Sequence, residues 1–198
     1  MRTNVTKLVF LLVSVLVCGC GLFEPRVPDE PGTGGVRWIA PTEPESVFVN
    51  IKNSLEGKVI GNYAQCFLAT PTDSFVFHPD PSDSLELFWL YSRDVFENWT
   101  LDVEKTVTQS ILDEAASIQL TFALRDTTIC TGAEECFFYY KYQLQVIYKV
   151  GGTKYYYGLA DYHMRGEGGE WFVYMWIDKR DPDFQDFDSW GKLKGTKR

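Results

Sequence analysis

The strongest constraint on the fold lies in the second half of the chain, where apolar side chains recur at every second position. Phe138, Tyr140, Tyr142, Leu144, Val146 and Tyr148 alternate with Lys141, Gln143, Gln145 and Lys149. Successive side chains of a strand point to opposite faces, so this run specifies a long strand with one face buried and one wet. Ile118, Leu120, Phe122 and Leu124 repeat the pattern against Gln119, Thr121 and Arg125. Gly151-Gly152 is a two-residue hairpin signal leading to a third strand over Lys154 to Met164. Gly166 to Gly169 then turns the chain into a fourth, Trp171 to Asp178.

Upstream, the period changes. Thr42-Glu43-Pro44-Glu45 fits a capping box with proline in the first helical turn. Val47, Phe48, Ile51 and Leu55 then fall on one helical face, and Gly57 suits the stop. Ile60, Tyr63 and Phe67 mark a second short helix, and Phe75 to His78 reads as a strand ended by Pro79 and Pro81. Residues 84–114 divide into two helical pieces broken near Trp99-Thr100. Helices first and a long antiparallel meander afterwards make an α+β fold, with helices packed on one sheet face. Aromatics form 16% of the chain, enough for one substantial core.

The front end is of another kind. Arg2 and Lys7 precede a short apolar run, Leu8 to Val17, which leads into Val17-Cys18-Gly19-Cys20. About ten apolar residues fit a signal-peptide core and are too few to span a bilayer. The pattern resembles a bacterial lipoprotein signal, with an aliphatic residue three before Cys20 and glycine just before it. That resemblance implies removal of residues 1–19, diacylglycerol on the Cys20 sulfur and acylation of the new amino terminus. Cys18 is the weaker candidate, because bulky Val17 would precede the cut. Residues 20–43 then form a tether rich in proline and glycine, which buries too little apolar surface to fold alone; Trp38 and Ile39 are the exceptions, able to dock on the domain. The folded domain is expected over 44–180, and an acidic then basic segment over 181–198 ends in a frayed, solvated tail.

The formal net charge is −8, and loss of a leader that carries only basic charges makes it more negative. A chain this acidic cannot neutralise phosphates, which argues against nucleic acid as a partner. Anionic head groups would repel it too, leaving the bilayer contact to acylated Cys20. Gly21, where aspartate would favour inner-membrane retention, points to the outer membrane facing the periplasm in a host with two membranes.

Cys130 and Cys136 flank a turn-like insert, Thr131 to Glu135, and facing positions on paired strands satisfy disulfide geometry. So small a loop contributes roughly 2 kcal/mol at most, and two idle thiols are the alternative. Five residues between the cysteines and a total of two histidines make a metal site a poor third. Cys66 reads as a small buried side chain.

The helix pair, the short strand ending in His78-Pro79-Asp80-Pro81, a further helix and the long strands resemble the nuclear-transport-factor-2-like superfamily, which includes SnoaL-like cyclases. Tyr157 to Arg165, Trp171 to Tyr174 and Trp176 to Asp178 carry the match best, within a resemblance spanning about residues 44–180. It implies a curved antiparallel sheet wrapped around the N-terminal helices, a cone or cystatin-like roll whose concave mouth takes a small apolar ligand or hosts isomerase or dehydratase chemistry. No catalytic residue of such relatives maps onto this chain.

Three polar side chains are weak catalytic candidates. Asp161 and His163 lie two apart and share a sheet face. Gly158 and Ala160 share the other face with Tyr156, Tyr162 and Met164, and small residues admit close packing, so that face is assigned to the core. Asp161 and His163 are then a solvated surface pair. His78 either ends its strand at the surface or faces the mouth. Asp178, Asp181, Asp183, Asp186 and Asp188 lack the glycine and glutamate of a helix-loop-helix calcium site and read as a solvated acidic stretch. Nothing calls for a cofactor. Tyr155, Tyr157 and Leu159 lie outward beside Lys141, Gln143 and Gln145. They form either a contact surface, for a second copy or an envelope partner, or a patch covered by Phe184, Phe187, Trp190 and Leu193 folding back. The leading expectation is a lipid-anchored, non-catalytic binding domain. A cone-pocket isomerase, dehydratase or cyclase is the competitor, and an envelope-assembly component the third reading.

Overall fold

The computed structural model describes residues 36–70, 74–132 and 134–198. The leader, Cys18, Cys20 and the tether through residue 35 lie outside the described residues. Among those described, no helix is long and apolar enough to cross a membrane.

Helices α1 (Pro44–Glu56) and α2 (Ile60–Ala64) come first, then the short strand β1 (Val76–His78) and helices α3 (Pro81–Tyr91) and α4 (Leu101–Glu114). Strands β2 (Ala115–Leu124), β3 (Ile129–Thr131), β4 (Glu135–Tyr148), β5 (Thr153–Glu167) and β6 (Glu170–Arg180) follow. A 3-10 turn, Pro182–Phe184, and a last helix, α5 (Trp190–Thr196), complete the chain. The sheet order is β1-β6-β5-β4-β2, with β3 beside the start of β4; β1 runs parallel to β6 and the other pairs are antiparallel. This is the expected α+β architecture: one curved sheet around helices.

The alternating residues behave as the pleat demands. Ile118, Leu120, Phe138, Tyr142, Leu144, Val146, Tyr156, Ala160, Tyr162 and Met164 are all buried on the concave side. Helix α1 crosses them, and its Phe48 ring touches Phe122, Phe138, Tyr140 and Tyr162 at centroid distances of 4.8–5.9 Å. At the other end Phe77 meets Trp99 and Trp176 at 5.2 and 5.3 Å. Asn50 exchanges two hydrogen bonds with the backbone of Ile39, so the segment entering α1 is docked.

Four local expectations need correction. The Thr42 capping box does not close: Glu43 occupies the cap position without a side-chain bond, and Pro44 starts the helix. Helix α2 ends at Ala64, short of Phe67, because the backbone around Leu68 pairs with Val173 instead. The hairpin after β4 is longer than two residues. A two-residue Gly151-Gly152 turn would set buried Tyr142 opposite outward Asp161; the observed register sets Tyr142 opposite Gly158 and Gln143 opposite Tyr157. Both turn glycines adopt positive φ, 107° and 84°, and the wider loop keeps core residues facing core residues.

The fourth correction is the largest. The basic end is no frayed tail. Helix α5 is packed, with Trp190, Leu193 and Lys194 each at most 3% exposed. Ser189 caps it by accepting from the Lys192 amide. Gly191 and Gly195, one turn apart, let its backbone approach: a Cβ at Gly191 would lie 2.6 Å from Asp178 Oδ2, and one at Gly195 would lie 2.4 Å from Leu87 Cδ1. Val36–Arg198 forms one compact unit, so the folded part runs past residue 180 to the C terminus.

Candidate functional site

On the concave side of the sheet, α5 packs a cluster of buried ionisable groups against Trp176 and Phe77. Lys194 enters between α4 and the sheet, and its Nζ lies 2.8 Å from Glu104 Oε1, both side chains fully buried. Aromatic faces enclose the ammonium: the Trp176, Phe77 and Trp190 centroids are 3.3, 4.2 and 5.3 Å away. Ring quadrupoles attract a cation held this way, and more so when water is excluded. Glu104 accepts further bonds from Tyr63 OH at 2.6 Å, Trp99 Nε1 at 2.9 Å and Thr108 Oγ1 at 3.4 Å. Helix α4 supplies Glu104 and Thr108 one turn apart, and Thr100 caps its first turn.

A second buried carboxylate lies across the cluster. Asp178, on β6, accepts from Tyr142 OH at 2.8 Å and from the Gly191 amide at 2.7 Å, while Tyr142 OH accepts from the Trp190 amide at 2.7 Å. Burial pushes the Asp178 carboxyl up to about 7, against the pull of the Tyr142 and Gly191 hydrogen bonds. Burial pulls the Lys194 ammonium down to about 8, with Glu104 opposing. The phenols of Tyr63, Tyr142 and Tyr162 are raised by burial first and by these carboxylates second. Tyr162 OH and Trp176 Nε1 complete the cluster with no hydrogen-bond partner among the described residues.

A carboxyl near 7 and an amine near 8 in an apolar enclosure could exchange protons with a bound molecule. Access decides otherwise. Lys194, Glu104 and Asp178 are 0% exposed, so no substrate reaches them unless α5 leaves. The open cleft of about 630 Å³ lies elsewhere, among Trp38, Gln65, Leu101, Lys105, Glu170 and Phe172, and holds none of these groups.

The polar candidates from the sequence lie outside the cone. Asp161 and His163 share the convex face as expected, yet Asp161 is not solvated; it is 6% exposed. Arg125 NH2 donates to it at 2.7 Å and Lys179 Nζ bonds its other oxygen, so two cations cover it. His163 packs edge-on against Phe137 and Tyr174 at 4.8 and 5.9 Å, and partial burial lowers its pKa more than Asp161 raises it. His78 is exposed at the end of β1. The structure therefore brings these three to the outer surface and none to the interior.

The aspartate run also departs from expectation. Asp178 belongs to the core; Asp181 is 3% exposed, caps the 3-10 turn and pairs with Lys141 at 3.3 Å. Among the described residues no three His, Cys, Asp or Glu side chains gather as a metal site. Cys130 and Cys136 face each other across β3 and β4 and are bonded as a disulfide, and Cys66 is buried. On the outer face Phe184 stacks on Tyr157 at 4.3 Å with Phe187 edge-on at 4.8 Å, so the returning segment covers Tyr157 and leaves Tyr155 exposed. Trp190 and Leu193, expected to join that cover, turn instead into the cone. The residues that sequence reasoning missed are Glu104 and Lys194; the glycine spacing of Gly191 and Gly195 was the one readable sign of a closely packed helix.

No family model matches the chain, and no curated protein matches its sequence. Solved structures do. A provisionally named scytalone dehydratase from Novosphingobium aromaticivorans superposes with a TM-score of 0.53 at 11% identity, over 68% of this chain and 78% of that one. A Kribbella flavida protein gives 0.53 at 6% identity over 76% and 93%, and a Mycobacterium tuberculosis protein of unknown function gives 0.51 at 10% over 72% and 76%. The fold is that of the nuclear-transport-factor-2-like and SnoaL-like proteins. At such identities the likeness shows shape alone.

Proposed function

We propose that this chain is a lipid-anchored binding module of the cell envelope whose cone performs no chemistry. The observation that carries the reading is the Lys194–Glu104 pair: the ionisable groups inside the cone are tied to one another and closed from solvent by the chain's own C-terminal helix. What remains for interaction is the outside of the domain. The anchor rests on the lipoprotein-like signal ending in Cys20. A mass spectrum of the protein from bacterial membranes is expected to begin at Cys20 with a diacylglycerol and an N-acyl chain. An unmodified amino terminus, or retention of residues 1–19, overturns the anchored reading.

One observation favours a second reading. Asp178 and Lys194 are displaced toward neutrality as acid–base groups are, and a named dehydratase shares the fold. In that reading α5 is a lid over an isomerase-like or dehydratase-like site. A panel of hydrophobic carbonyl metabolites separates the two. The binding-module reading expects no change in melting temperature with any of them. A metabolite that raises it in the wild type, and is turned over by the wild type but not by Asp178→Asn, gives the protein to the enzymes.

A further inference from the structure

Helix α3 is turned inside out. Its inward face carries Asp83 and Leu87, both fully buried, while Leu85, Phe88 and Trp89 project outward and Leu90 and Tyr91 extend its far end. Leu85 is 59%, Trp89 74% and Leu90 66% exposed, and this one helix supplies five of the chain's large exposed apolar side chains. Scattered apolar residues on a surface need no explanation; five on three turns of helix do. The helix stays docked because its polar inner face is tied down. Asp83 accepts from Ser189 Oγ and Arg180, and Glu86 from Arg180 NH2 and Lys192 Nζ, both at 2.6 Å. The charges on its inner flank, Asp83, Glu86, Arg180 and Lys192, are therefore paired with one another.

We infer that this face of α3 rests in the headgroup–acyl boundary of an uncharged lipid surface. The inference rests on the anchored reading given above. Trp, Tyr, Phe and Leu on one side of a helix are the composition of interfacial segments, whose aromatic rings settle at headgroup level. The chain outside the structure supplies the reach. Fifteen residues lie between Cys20 and Val36, at most about 55 Å of chain, against a domain of this size about 40 Å across. Such a tether lets any face meet the bilayer, so the surface energetics choose, and α3 is the apolar face. The acidic net charge, −8 for the full sequence and more negative without the leader, sets the protein against anionic lipid, which makes the partner surface zwitterionic.

The test uses the full-length protein with phosphatidylcholine vesicles, some carrying brominated acyl chains. Bromine quenches indole emission on contact, and the difference between wild type and Trp89→Phe isolates the exposed indole. The expectation is that at least half of the Trp89 emission is quenched, and that Leu85→Ser with Leu90→Ser cuts the quenching severalfold while the protein still floats with the vesicles. Flotation reports the anchor and quenching reports α3. Protein that floats with Trp89 unquenched overturns the α3 assignment alone. Quenching by protein lacking acylated Cys20 sustains α3 and overturns the anchor, and failure of both readouts overturns both. A doubled mass in detergent-free solution that Trp89→Ser abolishes gives the patch to a second copy and also overturns the lipid assignment.

Discussion

Lys194 is the residue on which the interior depends, and its partner, Glu104, lies ninety residues earlier on another helix. Two charges removed from water are costly, and their attraction repays the cost only where further hydrogen bonds complete the geometry. Tyr63, Trp99 and Thr108 do so for Glu104, and three ring faces do so for the ammonium. Lys194→Met leaves Glu104 buried and unpaired, and urea unfolding is expected to show a loss of about 3–5 kcal/mol. Adding Glu104→Gln should recover most of it, because the amide leaves no orphaned charge: its oxygen can accept from Trp99 Nε1 while its NH2 donates to the Tyr63 hydroxyl oxygen. A Lys194→Met protein as stable as wild type removes the pair from the account.

The same residues set a pH signature. Asp178 holds its proton to about 7 in the folded state, above its unfolded value, so its contribution is full in acid and is lost as pH rises through 7. Lys194 titrates near 8, below its unfolded value, so its contribution grows as pH rises above 8. Stability measured against pH should fall from 4 to 7 by a component missing in Asp178→Asn, and recover above 8 by one missing in Lys194→Met. None of this was legible in the sequence. A lysine among lysines near a C terminus reads as solvated, and Asp161, which looked solvated, is covered by Arg125 and Lys179 from distant strands.

At the level of elements, legibility followed periodicity. Strands β2, β4 and β5 were readable because their alternation persists longer than any loop pattern does, and α1 was readable because Val47, Phe48, Ile51 and Leu55 mark one face. Helix α5 was not. It has seven residues, and the surfaces that stabilise it, Asp178, Leu87 and Phe96, belong to other elements. Its Gly191-x-x-x-Gly195 spacing permits close approach but does not say to what. Gly195→Ala places a Cβ 2.4 Å from Leu87 and 2.6 Å from Phe96. Calorimetry or urea unfolding should register a loss of about 1–3 kcal/mol, the usual consequence of overpacking a core. A neutral outcome would mean that α5 sits more loosely than its burial indicates. Helix α3 is the converse case: its Leu85, Phe88, Trp89 and Leu90 invite assignment to a core, and the buried Asp83 and its partners turn that stripe outward.

At the level of the whole molecule, the sheet-and-helix cone was predicted and is present, and its interior is packed rather than open around Lys194. A concave sheet makes a pocket only if nothing in the chain fills it. Here the segment after β6 returns over the outer face, where Phe184 and Phe187 cover Tyr157, and then turns inward to bury Trp190, Leu193 and Lys194. On the proposed reading, interaction falls to the outside of the cone, because the ionisable groups inside it are closed off by α5. Native-state hydrogen exchange on α5 tests this most directly. The amides of Trp190 and Gly191, held by Tyr142 and Asp178, and that of Leu193, held by Ser189, are expected to exchange only through global unfolding, with the same free energy as the core strands. Exchange of these three amides through a far cheaper local opening, while β4 and β5 stay protected, would make α5 a lid and return the interior to catalysis.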